Sequence, residues 1–180
     1  MKKLLIALFI FSIFQIACED DDRKKATMYD ECCHELFSDT SNFKLFLPTA
    51  YSPDGDFLND DYKVFVRDSS QNVRSITALK ATNYKGNEVY SKDTMSTLDG
   101  IQNVWDFKGK NDELVLGTVK VEFTVTTLDS QTYTVKYSLC SYTCQSLNDN
   151  NVTIDFDKCW YEDQINFNTW FTHPTNEPRC

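Results

Sequence analysis

The sequence predicts an all-β protein built as an antiparallel β-sandwich. Three observations support this prediction. Apolar and polar residues alternate with a period of two in several short segments. These segments recur at intervals of about ten residues and are separated by turn signals. No stretch of ten residues after residue 38 carries a helical period.

The predicted strands follow one another from residue 43 to residue 139. The longest alternation lies within 115–128, where Val119, Val121, Phe123 and Val125 face one side. Residues 129–131 form a hairpin loop to the next strand, and 85–87 form a turn around Gly86. A further strand is predicted at 152–156, within an otherwise irregular C-terminal segment. The other predicted strands are 43–47, 62–67, 75–82, 88–90 and 132–139.

The N-terminus has the pattern of a bacterial lipoprotein signal. Lys2 and Lys3 are followed by a nearly continuous apolar run to Ala17, which is shorter than the ~20 residues that span a bilayer as a helix. The next residue is Cys18, and Ile16-Ala17-Cys18 resembles a lipobox. We expect residues 1–17 to be a signal peptide and Cys18 to carry the lipid, with an ordinary signal peptide as the alternative.

Acidic residues follow Cys18 directly, at 19–22. A solvated charge run in a tether would explain them, but they also resemble the surface-export signal of Bacteroidota lipoproteins. The predicted location is therefore the cell-surface side of the outer membrane. Removal of the leader would change the net charge from −9 to −11. Such an acidic chain repels phosphate backbones, so we expect no nucleic-acid partner.

Six cysteines remain after Cys18, an even number that suits three disulfides in an exported chain. Sequence leaves fifteen pairings open. Cys32 and Cys33 are adjacent, and a bond between them would strain their peptide. We therefore expect each to bond one of the later cysteines, which are Cys140, Cys144, Cys159 and Cys180.

The run 45–60, which reads LFLPTAYSPDGDFLND, resembles the opening of the gliding motility-associated C-terminal domain family of Bacteroidota. The resemblance continues through 79–90, 104–106 and 117–125, and it covers about residues 43–139. It implies an immunoglobulin-like sandwich that serves as a type IX secretion sorting signal. Three residues depart from the family pattern: Asp54 in place of Asn, Phe57 in place of Gly, and Phe107 in place of Gly.

The family domain is usually C-terminal, whereas here a segment with four cysteines follows it. We therefore expect the fold to be kept without the sorting role. The expected organisation is a signal peptide at 1–17, an acidic tether with a short cysteine-containing segment at 18–41, the sandwich at 42–139, and a cysteine-rich extension at 140–180.

The loop at 54–61 is the candidate metal site. It places four carboxylates and one amide oxygen within eight residues, around Gly55. Oxygen ligands in a tight turn suit Ca²⁺, although side chains that cap their own backbone would explain the same composition. The candidate ligands are Asp54, Asp56, Asn59, Asp60 and Asp61.

The extension contains a second candidate site. Trp160, Tyr161 and Trp170 would form a platform for sugar rings if they were exposed, and would be core residues otherwise. Trp105 occupies the family's tryptophan position, and we expect it in the core.

Together these features predict a non-enzymatic surface lipoprotein that acts as a binding, adhesion or accessory module, anchored to the membrane by its N-terminal lipid. Its partner would be a protein or a glycan. The alternatives are a glycan-binding accessory lipoprotein and, less favoured, a periplasmic hydrolase.

Overall fold

The computed structural model describes residues 28–29, 32–33, 37–39, 43–68, 72–95, 100–166, 174–176 and 180. These residues form nine β-strands in two sheets, one short α-helix and two 3₁₀ turns. The prediction of an all-β sandwich with a disulfide-linked C-terminal extension is confirmed. Within the described part of the chain, no helix has the length and apolar character needed to cross a membrane.

The smaller sheet has four strands in the order β1-β2-β4-β7, all antiparallel. Its strands are β1 (Phe37–Asp39), β2 (Lys44–Phe46), β4 (Tyr62–Arg67) and β7 (Gly100–Trp105). Sequence patterning did not predict β7, because the polar pair Gln102 and Asn103 interrupts the alternation in the middle of this strand.

The larger sheet has five strands in the order β3-β9-β8-β5-β6. The short β3 pairs in parallel with β9, and the other pairs are antiparallel. Pro48 lies between β2 and β3, where the chain crosses from one sheet to the other. The five strands are β3 (Ala50–Tyr51), β5 (Val73–Asn83), β6 (Glu88–Met95), β8 (Gly117–Thr127) and β9 (Thr132–Ser141).

The main core lies between the two sheets. Val119, Val121, Phe123 and Val125 of β8 are buried there, as their alternation predicts. They pack against inward residues of the smaller sheet. Val64 of β4 is one of these, together with the residues of β4 that alternate with it on the same side of the strand. Burial of this apolar surface is the main source of stability for a sandwich of this size.

The opposite face of the smaller sheet is also apolar, and the C-terminal extension covers it. Phe46 and Phe65 lie on this face, with ring centroids 5.6 Å apart. Ile165 and Trp160 pack on them, and Trp160 meets Phe46 edge to face at 6.2 Å. The backbone carbonyl of Trp160 accepts hydrogen bonds from the Thr49 and Ala50 amides, at 2.7 and 3.1 Å. The extension is thus held to the sandwich by both apolar and backbone contacts.

The prediction of a strand at 152–156 is wrong. Residues 152–155 have no regular structure, and Phe156–Lys158 form a 3₁₀ turn. The amides of Phe156 and Lys158 donate to nearby carbonyls of the same segment, so they are not used to pair with a strand.

The helix α1 (Cys144–Asp149) begins at Thr143, whose side chain accepts a hydrogen bond from the Ser146 amide. The second 3₁₀ turn is Glu162–Gln164.

Three disulfides join the N-terminal segment, the sandwich and the extension. Cys32 bonds Cys140 on β9, and Cys33 bonds Cys159 in the extension, so the expectation that these neighbours bond later cysteines is confirmed. The third disulfide joins Cys144 to Cys180. A second apolar cluster surrounds the first two disulfides; it includes Tyr29, Ala50, Tyr142, Leu147, Ile154 and Tyr161.

A buried pair of tyrosines crosses the main core. The Tyr137 hydroxyl donates to the Tyr62 hydroxyl at 2.7 Å, and burial raises the pKa of both phenols. Tyr62→Phe should lower the free energy of unfolding by about 1–3 kcal/mol, because it leaves the Tyr137 hydroxyl buried without its acceptor. The double variant Tyr62→Phe/Tyr137→Phe should lose less free energy of unfolding, because neither hydroxyl is then left buried without a partner. Urea unfolding of both variants checks this; a larger loss in the double variant would contradict it.

Candidate functional site

The acidic loop, residues 54–61, connects β3 to β4 at one end of the sandwich. The Ser52 amide donates to the Asn59 carbonyl at 3.1 Å and closes the base of the loop. Asn59 is fully buried, and its side-chain oxygen lies 3.4 Å from the Asp163 amide of the extension. The loop is therefore supported from below by both the sandwich and the extension.

Carboxylates of the loop bind its own backbone amides. Asp60 accepts from Gly55 at 2.9 Å with one oxygen and from Phe57 at 2.7 Å with the other. Asp54 and Asp56 each accept from the amide two residues ahead, at 3.2 and 2.8 Å. This is the self-capping arrangement that the sequence left open as an alternative to metal binding.

Three of the five predicted metal ligands converge. Oxygens of Asp54, Asp56 and Asp60 lie within 4.8 Å of one another. The other two do not join them: Asn59 is turned toward the extension, and Asp61 is outside the group. Each carboxylate can accept more bonds than it makes here, so the amide contacts leave capacity for a cation. Calcium binding in this loop stays a prediction.

The loop contains three residues with positive φ, at 90° for Gly55, 72° for Phe57 and 52° for Asn59. Glycine adopts this conformation without strain, and asparagine tolerates it, but phenylalanine does not. Phe57 is also 91% exposed, the largest exposed fraction among the large apolar side chains described. Phe57 is thus the unusual residue of the loop, in a conformation that glycine would adopt without strain.

Phe57→Gly is expected to raise the free energy of unfolding by about 0.5–1 kcal/mol. Glycine removes the strain of the left-handed backbone conformation, which stabilises the folded chain. It also raises the entropy of the unfolded chain, which offsets part of that gain. Thermal unfolding measures it as an increase of about 1–4 °C in Tm. Phe57→Ala is the matched control, because it removes the ring and keeps the strain. A larger gain from alanine than from glycine would contradict this explanation.

One of the three residues of the candidate sugar platform lies in the core. Tyr161 is 2% exposed, and its hydroxyl hydrogen-bonds to that of Tyr142 at 2.8 Å within the disulfide cluster. Its ring is therefore core, which is one of the two outcomes that the sequence left open for this residue. Trp160 is half-buried against Phe46, while Trp170 lies outside the described residues. Trp105 is buried, as expected.

The predicted lipid-bearing Cys18 also lies outside the described residues, but the point where the chain enters the fold is visible. The Met28 carbonyl accepts a hydrogen bond from the Thr118 amide at 2.6 Å, at the start of β8. Gly117 beside it has φ of 96°, and a Cβ there would lie 2.7 Å from that same carbonyl oxygen. Glycine at 117 thus permits the N-terminal segment to lie directly on β8.

A second surface feature was not predicted from the sequence. The outer face of the larger sheet contains a groove of about 470 Å³ across β5, β8 and β9. We call it the lysine groove, since its lining comprises Lys80, Thr82, Lys120, Val121, Glu122, Lys136, Tyr137 and Ser138. The only available signal was a lysine at a polar position of each of three predicted strands. That they share one site depends on strand order and register.

Register places the groove residues in two adjacent rows. Glu122 lies opposite Lys80 on one side and Lys136 on the other, and the Lys136 ammonium lies 3.0 Å from the Glu122 carboxylate. Lys120 lies in the next row, opposite Thr82 and Ser138. Lys80 also pairs with Glu88 of β6 at 3.2 Å. The groove lining thus contains three lysines and one glutamate, in a chain whose net charge is −9.

No family model matches the chain, and neither a curated protein nor a solved structure gives a significant match. The resemblance to the gliding motility-associated family therefore stays an interpretation of the motifs at 45–60, 79–90, 104–106 and 117–125.

Proposed function

We propose that this protein is a non-enzymatic surface lipoprotein of the bacterial outer membrane. It is held by a lipid on Cys18 and acts as a binding, adhesion or accessory module of a gliding or secretion assembly. The observation that carries the proposal is the pattern of disulfides at the N-terminal end of the domain. Cys32 and Cys33 are bonded to Cys140 and Cys159, across 108 and 126 residues. Such bonds form and persist in oxidising compartments outside the cytosol, which agrees with an exported chain.

The attachment of the N-terminal segment supports an anchoring role. If Cys18 is the mature N-terminus, it lies ten positions before Met28, whose carbonyl bonds to β8. Ten residues span at most about 35 Å when extended, so the sandwich would stay near the membrane surface. The two disulfides that follow would pass any pull on the tether directly to β9 and to the extension. This arrangement suits a module that must hold a partner while it is fixed to a membrane.

The acidic loop supports a binding role. Phe57 is an exposed apolar side chain on a loop whose backbone is held by its own carboxylates. Exposed apolar residues on a rigid support are typical of sites that bind partners.

Lipidation and surface exposure are tested in a Bacteroidota host with three chains: the wild type, Cys18→Ser, and a variant with residues 19–22 changed to alanine. A clickable fatty-acid analogue should label the wild type and the alanine variant but not Cys18→Ser. Protease added to intact cells should degrade the wild type and spare the alanine variant, which would remain inside the outer membrane. Absence of label on the wild type would refute the anchor, and equal protection of the two labelled chains would refute surface export.

The binding role is tested by recovery of the protein from surface-labelled cells. The wild type should bring down a labelled surface component that the unanchored Cys18→Ser chain does not. If neither chain recovers a labelled component, the adhesion or accessory role is wrong, even where lipidation is confirmed.

A further inference from the structure

Phe57 combines a side chain that gains nothing from folding with a backbone conformation that opposes it. Its side chain is 91% exposed, and its backbone has φ of 72°, a conformation disfavoured for any residue with a Cβ. Glycine would avoid both. Residues that break local rules without a gain in the folded chain point to a role outside it.

The loop presents this ring in a defined position. Both oxygens of Asp60 bind backbone amides on either side of the tip, at Gly55 and at Phe57 itself. Asp54 and Asp56 bind the amides of Asp56 and Leu58. The ring therefore protrudes from a loop that these bonds hold, and the same loop carries the carboxylates of Asp54, Asp56 and Asp60. We call this feature the Phe57 knob.

The lining of the lysine groove has the opposite net charge, three lysines against Glu122, although Lys80 and Lys136 already pair with Glu88 and Glu122, and the groove has a suitable size. Its volume of about 470 Å³ lies within the range of pockets that hold small ligands, and it is large enough for a phenylalanine side chain. Lysine side chains present apolar methylene stems beneath their charged ends, so a ring can lie between them while the ammonium groups stay at the rim. Lys80 and Lys136 are two strands apart, about 10 Å between backbones.

We propose that the Phe57 knob of one copy of this chain binds in the lysine groove of a second copy. The ring would lie among the lysine stems, and the Asp54, Asp56 and Asp60 carboxylates would face the ammonium groups of Lys80, Lys120 and Lys136. Knob and groove are different surfaces, at a loop end and on a sheet face. The contact is therefore heterologous, and copies would add head to tail. This inference goes beyond the proposed lipoprotein function and does not require lipidation.

The first test is the association state of the chain from residue 18 onward, with Cys18→Ser to remove the lipid site. Sedimentation velocity from about 10 µM to about 1 mM should show a mass that rises with concentration, as suits a small interface. Raising the salt from about 0.01 M to about 1 M shortens the Debye length from about 30 Å to about 3 Å. The association constant should fall at least tenfold over this range. A monomer throughout at low salt would overturn the proposal.

Variants of the two surfaces give a sharper test. Phe57→Gly should weaken association at least tenfold while it raises Tm, which separates loss of the knob from loss of the fold. Lys120→Glu/Lys136→Gln should weaken association as strongly. The control Lys158→Glu adds negative charge outside the groove and should change association less than threefold. Unchanged association in Phe57→Gly, or equal weakening by the control, would overturn the proposal.

Mixing the two variants tests the head-to-tail geometry. Phe57→Gly keeps an intact groove, and Lys120→Glu/Lys136→Gln keeps an intact knob, so an equimolar mixture still allows one contact. The mixture should form a one-to-one dimer that does not grow with concentration, although each variant alone is monomeric. If the mixture also stays monomeric where the wild type associates, the wild type uses some other contact and the proposal is wrong.

Discussion

Loss of the Cys33–Cys159 disulfide, in the variant Cys33→Ala/Cys159→Ala, should lower the free energy of unfolding by about 4–5 kcal/mol. The bond joins residues 126 positions apart, but the neighbouring Cys32–Cys140 bond stays in place, so it closes a ring of only about 20 residues, worth about 3 kcal/mol of unfolded-chain entropy; the rest of the loss comes from packing. Both cysteines are also buried in the cluster that holds the extension. Loss of this magnitude is comparable to the whole stability of many domains, which is about 5–15 kcal/mol.

Guanidinium unfolding measures this loss as a shift in midpoint. The matched control is Cys144→Ala/Cys180→Ala, which opens a loop of 36 residues between two exposed cysteines and therefore loses no buried packing. Its expected cost is smaller, about 3–4 kcal/mol on the same model. An equal or greater loss from the control would show that burial of the cysteines does not decide the effect.

Trp105→Ala should lower the free energy of unfolding by about 3–5 kcal/mol, the usual cost of removing a large buried aromatic side chain. Trp105 ends β7 and stacks on Tyr90 of β6, with centroids 5.1 Å apart and planes 14° from parallel. It also packs on Phe107 at 4.8 Å, and its indole N–H donates to the Lys108 carbonyl at 2.8 Å. Since β6 and β7 belong to different sheets, this ring joins the edges of the sandwich.

The control for this prediction is Trp105→Phe, which keeps a ring between Tyr90 and Phe107 but loses the indole N–H. Its expected cost is about 1–2 kcal/mol, mainly from the unpaired carbonyl of Lys108 and the smaller ring. Thermal and urea unfolding separate the two variants. Equal losses would show that the hydrogen bond, not the packing of the ring, accounts for the stability.

The strands that could be predicted are those in which one face is buried and the other is exposed to solvent. In β8, Val119, Val121, Phe123 and Val125 alternate with polar residues because one sheet face contacts the core. The same alternation at Val152, Ile154 and Phe156 did not produce a strand. There Ile154 is buried in the disulfide cluster, and the backbone turns back on itself at Phe156–Lys158. Local periodicity reports burial, and it identifies a strand only where a neighbouring strand is available.

The candidate site was predictable in composition and not in geometry. The acidic residues of 54–61 are obvious in the sequence, but Asp60 closes the loop on the amides of Gly55 and Phe57, and Asn59 is directed elsewhere. Those choices depend on φ angles and on contact with the extension. The same holds for Tyr161, whose burial follows from its place beside the Cys33–Cys159 disulfide.

The sequence by itself determined the all-β class, the positions of the strands that alternate regularly, such as β5, β8 and β9, and the fact that Cys32 and Cys33 do not bond each other. These depend on side-chain period and on the geometry of adjacent residues, which are local. Tertiary structure alone decided that the extension covers Phe46 and Phe65, that Phe57 is exposed in a strained conformation, and that Lys80, Lys120 and Lys136 share one groove. The physical reason is that strand order and register bring together residues from distant positions, and no local pattern specifies which strands become neighbours.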